Sequence, residues 1–141
     1  MVYLSELAQR ILAELEEAGE EDVATLLNTC MVVSGQIEQV AEISAAFAEL
    51  ISIKLASIAI GRDPGGRLVD LPQKQALEYA STVAKYVSYS QADGHWLNVP
   101  LSVPPSGTDY FDPVHAVSTP EGRDVAFEIL DQRGYQWWRP K

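Results

Sequence analysis

One cysteine, Cys30, leaves no partner for an intrachain disulfide, so packing and hydrogen bonds must hold the fold. A lone thiol fits a reducing compartment, and a cytoplasmic protein is expected. The N-terminal run Met-Val-Tyr-Leu-Ser-Glu has neither the basic start nor the apolar core of a secretory leader. Histidine is as scarce, with only His95 and His115. There is no Cys-x-x-Cys pair and no Gly-x-Ser-x-Gly nucleophile elbow. Basic side chains are few: ten Lys and Arg stand against twenty Asp and Glu, a net charge of −10. The deficit is uneven. Residues 1–60 hold ten acids and two bases, Arg10 and Lys54, whereas residues 61–141 hold ten acids and eight bases. Such a chain repels phosphate backbones and anionic lipids, so no sequence-independent nucleic-acid binding is expected. A long uncharged apolar run is also lacking. Residues 43–61 come nearest, but carry Glu49 and Lys54, each costing about 2.5–3.5 kcal/mol at a bilayer centre. No membrane association is expected.

What is present is enough for one globular domain: 141 residues, 47% of them apolar. The patterning predicts a mainly α fold, a bundle of about five helices around a long central one. Residues 1–94 form its core, residues 95–118 a proline-rich extended segment, and residues 119–141 a C-terminal helix and aromatic tail. The central helix is read over residues 36–60. Ile37, Val40, Phe47, Ile51, Leu55 and Ile58 mark one face, and Ile43, Leu50, Ile53 and Ile60 a second. Between them runs a seam of small residues, Ala41, Ala45, Ala48, Ser52 and Ala56, in helical steps. A helix apolar nearly all round must be enclosed, by its own chain or by another. The seam is the expected oligomer-packing surface.

Four further helices complete the expectation. The first spans residues 4–18 and is capped by Gly19. The second spans residues 21–33, followed by a turn or sharp kink at Ser34 and Gly35. The fourth runs from Pro72 to just before Asp93 and Gly94. The fifth opens with Thr119 as N-cap and Pro120 at its first position, and closes at Gly134. Leu97, Val99, Leu101 and Val103 alternate with Asn98, Pro100, Ser102 and Pro104, the pattern of an extended edge segment.

Candidate chemistry is sparse. Six acids fall between Glu14 and Asp22, and Glu16, Glu17, Glu20 and Glu21 are the candidates for gripping a basic partner. Tyr135, Trp137, Trp138 and Arg139 form an aromatic, cationic tail of the residue types found at binding hot spots. That tail either clips onto a partner or folds back on its own helices. The loop over residues 61–67 has glycines and two arginines, but not the lysine and Ser/Thr of a phosphate-binding loop. Cys30 sits on an apolar helical face and reads as core. His95, Asp112 and His115, with Asp109 nearby, are the weak pocket candidates, a spacing with little metal or acid–base specificity.

These readings order three functions. First comes a non-enzymatic protein–protein interaction protein, a homo-oligomer or assembly subunit of bacterial or phage accessory type, with no cofactor, metal or catalytic residue. Second is an acidic inhibitor or mimic that docks on a basic protein surface. Third is a small enzyme or ligand-binding domain with a pocket of Tyr79, Tyr86, Tyr89, Trp96, His95 and His115.

Overall fold

The computed structural model describes residues 3–99 and 114–139. It is a mixed α/β fold, which overturns the expected mainly α bundle. Helices α1 (Glu6–Ala18), α2 (Val23–Cys30), α3 (Ile37–Ser52), α4 (Gln73–Ala80) and α5 (Pro120–Arg133) are joined by six short strands. Strands β1 (Glu20–Asp22), β6 (His115–Ser118), β2 (Ala56–Arg62) and β3 (Leu68–Asp70) form an antiparallel sheet in the order β1-β6-β2-β3. Strands β4 (Val87–Ser90) and β5 (His95–Asn98) form a separate hairpin. Helix α1 packs against α5, α2 and α3 and against β1 and β6, so its stripe of Ala8, Ile11, Leu12 and Leu15 is fully enclosed. No helix among the described residues is long and apolar enough to cross a membrane.

The largest correction concerns the central helix. It ends at Ser52, not at residue 60, and the chain continues as β2. The turn is a Schellman motif: Leu55 N–H donates to Leu50 O at 2.9 Å and Lys54 N–H to Ile51 O at 3.0 Å. The position that ordinarily carries glycine is Lys54, at φ +62°. No glycine or proline marks this break, so the apolar period ran through it. Residues 55–60 satisfy a helical stripe and a strand alternation equally well, an ambiguity inherent in short apolar runs. Of the seam, Ala41, Ala45 and Ser52 are exposed on α3 and Ala48 is half-buried, whereas Ala56 is buried in β2, paired with Ser118. A lysine held at left-handed φ carries a steric cost that glycine lacks. Lys54→Gly is therefore expected to raise stability by up to about 1 kcal/mol in urea denaturation; a lower midpoint would mean the lysine side chain contributes more than its backbone costs.

Two other helices are shorter than their patterns predict. The second begins at Val23 because Glu20–Asp22 pairs with β6, and Asp22 caps α2 by accepting from Thr25 N–H at 2.9 Å. It stops at Cys30, and residues 31–36 form a loop. The fourth starts after Pro72 but stops at Ala80. There the Ser81 and Thr82 hydroxyls both donate back to Glu78 O, at 2.8 and 3.1 Å, competing with the helical ladder. A 3₁₀ turn (Val83–Lys85) then leads into the hairpin. In it Val87 pairs with Asn98 and Tyr89 with Trp96, while Gly94 turns at φ +74°. The alternation at residues 97–99 is thus partly strand. Its continuation over residues 100–113, with Asp109 and Asp112, lies outside the described residues.

Gly19 and the caps of α5 match their patterns, whereas α1 begins at Glu6 and not at residue 4, because Ser5 takes the N-cap position. Ser5 accepts from Ala8 N–H, and Gly19 N–H donates to Leu15 O at 2.8 Å. Thr119 Oγ1 accepts from Gly122 N–H at 3.0 Å, and Gly134 N–H donates to Leu130 O at 2.8 Å.

Candidate functional site

The surface with the most features of a binding site surrounds the first half of α3. On one flank a cleft of about 440 Å³ opens between α1, the loop over residues 31–36 and α3, lined among others by Leu7, Arg10, Met31, Val32, Glu38 and Glu42. On the other flank a depression of about 220 Å³ is lined by Ile37, Val40, Ala41 and Ser44 of α3 with Ser81, Val83 and Ala84. The ridge between them is the exposed face of α3: Glu38, Ala41, Glu42 and Ala45. At its start two large aliphatic side chains face solvent, Val32 at 75% and Ile37 at 64% exposure.

The wall of the larger cleft is fixed by one buried side chain. Gln39 Oε1 accepts from the backbone N–H of Ser34 at 3.0 Å and of Gly35 at 3.3 Å, and from Trp96 Nε1 at 3.3 Å. Its Nε2 donates to Val32 O at 2.6 Å. Gly35 takes φ +77° and packs against the Tyr89 ring so closely that a Cβ there would lie 2.6 Å from Cε2. The loop is therefore held in one conformation before any partner arrives, which lowers the ordering cost of binding.

The acidic corner, in contrast, is largely neutralised from within. Glu16 meets Arg123 at 3.4 Å, Glu20 meets Arg62 at 3.1 Å, and Glu17 lies 4.0 Å from Arg139. Glu6 forms a two-pronged pair with Arg133 at 2.8 and 3.0 Å. That hydrogen-bonded guanidinium holds its carboxyl below the ordinary value. Glu21 is half-buried on β1; burial, reinforced by the charge of Asp22, pushes its carboxyl up. Burial likewise raises Glu17 against the opposing pull of Arg139. A raised carboxyl contributes stability below its unfolded value and loses it as pH rises through the folded value. Glu21→Gln is expected to stabilise the protein near neutrality and to have little effect at about pH 4, where the wild-type group carries its own proton. Urea midpoints at the two pH values measure this, and equal effects at both would contradict it.

The aromatic tail folds back on its own chain. Trp138 is fully buried, and its Nε1 donates to Glu14 Oε2 at 2.8 Å. Arg139 Nη2 approaches the same oxygen at 3.5 Å. Arg10 Nη1 donates to Trp138 O and to Cys30 O, both at 3.2 Å, tying α1 to the tail and to the end of α2. Arg133 lies over the Trp137 ring, 3.4 Å from its centroid. Tyr135 alone of the tail aromatics is largely exposed, at 75%. Cys30 is buried, and burial raises its thiol well above the ordinary value, so it is no activated nucleophile.

The pocket candidates do not converge. His95 sits exposed on the β4–β5 hairpin, with Nδ1 3.1 Å from Asp93 O, while His115 is buried on β6 of the other sheet. Asp112 lies outside the described residues. Among the described residues no three His, Cys, Asp or Glu side chains are grouped to hold a metal ion. The residues around α3 that sequence reasoning did not single out are Val32, Glu38 and Glu42. Nothing in their spacing announces them; only the fold shows which side of α3 is left uncovered. No protein-family model, no curated protein and no solved structure matches the chain.

Proposed function

We propose that this protein is a non-enzymatic interaction protein and that its partner is a protein with a basic surface. One observation carries the reading: five arginines are paired with carboxylates of their own chain, while exposed acids on α3 and α5 have no such partner. Arg10, Arg62, Arg123, Arg133 and Arg139 are engaged with carboxylates of the same chain. Among the described residues Glu38 and Glu42 on α3, and Glu121, Asp124, Glu128 and Asp131 on α5, have no cation within ion-pair distance. Helix α3 carries acids and no base, and such a face steers oppositely charged partners and repels its own copies. A basic partner is thus favoured over a second copy, which would bring two chains of charge −10 together. The expected mass in light scattering is that of a 15.5 kDa monomer.

The test is salt. Complexes formed by the tagged protein should weaken steeply as ionic strength rises, because rim charges are screened within a Debye length of about 8 Å at physiological salt. Replacing Glu38 and Glu42 together with lysine should abolish them. Complexes indifferent both to salt and to that double reversal would sink the reading.

A further inference from the structure

We infer that the exposed face of α3 is the docking site for a cationic amphipathic helix of a partner protein. This rests on the basic-partner reading above and narrows it to one surface and one shape. The ridge of α3 is low: Ala41 and Ala45, one turn apart, present only methyl groups to solvent. Helix axes approach most closely, toward the lower end of the roughly 8–10 Å range, where the residues at the crossing are small. A helix laid over these alanines would straddle the ridge. Its side chains on either flank would enter the two depressions, one bordered by Val32 and Met31, the other by Ile37, Val83 and Ala84. That is ridges-into-grooves packing with both grooves already formed.

Charge specifies the rest. Glu38 and Glu42 lie one turn apart along the ridge on the side of the larger cleft, each without a cation of its own chain among the described residues. Arg10, the one base in that cleft, is already committed to Glu6 and to two backbone carbonyls. A docking helix is therefore matched by apolar residues along its contact stripe and Lys or Arg on the flank facing Glu38 and Glu42. A second copy of α3 is a poor occupant, because crossing two such ridges sets these carboxylates against their equivalents.

The experiment uses the full chain and a synthetic amphipathic helix of leucine and lysine bearing a fluorophore, followed by anisotropy at low and high salt. Ala45→Trp raises the ridge without touching the core or any charge, and is expected to weaken binding at least about tenfold. Glu38→Gln with Glu42→Gln should weaken it and flatten its salt dependence. Asp124→Asn with Glu128→Gln, an equal charge change on α5, should leave it within about twofold. If the α5 pair weakens binding as much as the α3 pair, or Ala45→Trp has no effect, the peptide binds by diffuse charge. The docking site is then wrong although the basic-partner reading stands. If the wild-type protein binds no cationic helix even at low salt, both fall. A doubled mass in light scattering that Ala45→Trp returns to 15.5 kDa would make a second copy the occupant and overturn the proposal.

Discussion

Trp138→Ala is expected to bring the protein close to unfolding at room temperature. Truncating a buried Trp to Ala costs about 3–5 kcal/mol in lost transfer energy and residual cavity. Here the indole is fully buried and also supplies the hydrogen bond to Glu14, itself buried on α1. Removing that donor strips a partner from a carboxylate that cannot reach water, which adds about 1–3 kcal/mol unless the cavity hydrates. Domains of this size carry about 5–15 kcal/mol in total, so most of the margin would go. Trp138→Phe keeps an aromatic ring but loses the N–H and part of the indole volume, and should cost less than Trp138→Ala, about 1–3 kcal/mol. Urea denaturation followed by far-UV circular dichroism measures both. If Trp138→Ala cost under about 1 kcal/mol, the tail would be an ornament and not part of the core.

The second large effect is expected at Gly122, where two ordinary rules oppose each other. Gly122 lies in the first turn of α5, and in an exposed helix interior Gly→Ala stabilises by about 1 kcal/mol. In this fold Gly122 is buried against the Schellman turn, and an added Cβ would overlap the Leu55 carbonyl oxygen, with the carbonyl carbon at 2.8 Å. The obstacle is backbone, which has no rotamer to escape into. The same turn also binds α5 through Thr119, whose N–H donates to Leu55 O at 3.1 Å and whose Oγ1 donates to Lys54 O at 2.7 Å. Relieving the overlap must break these bonds or shift α5 off α1. Overpacking of this kind costs about 1–3 kcal/mol or more, so Gly122→Ala is expected to destabilise by at least about 2 kcal/mol despite the better propensity. A midpoint equal to or above the wild type would show that α5 docks less closely than described.

The helix ends that the sequence announced were those marked by local chemistry. Gly19, Thr119, Pro120 and Gly134 act on backbone groups within a turn of themselves, so their effect is legible without tertiary context. The strands were hidden for the opposite reason. β1 is three acidic residues, and it is a strand only because β6, some ninety residues later, offers a partner. β2 was masked by an apolar period that a helix and a strand share, across a turn built on Lys54 in place of glycine. The hairpin after α4 depends on Ser81 and Thr82 ending a helix whose apolar spacing continues through Val83 and Val87. The same holds for the candidate site. Ala41 and Ala45 were visible as small residues at helical spacing, but which flank of α3 stays uncovered is decided by α1, α4 and the loop pinned by Gln39.

The link from Glu14 to Trp138 joins residues 124 positions apart, and β1 to β6 and α1 to α5 span nearly as much chain. Contacts that distant form only after most of the loop entropy has been spent, which slows folding relative to a bundle of neighbouring helices. During synthesis, α1 emerges before α5 and Trp138, its apolar stripe until then without its final cover. The early chain is then dependent on the late chain, and a fragment ending before β6 lacks the strand that joins β1 to β2. Folding is expected to be a single late, cooperative event.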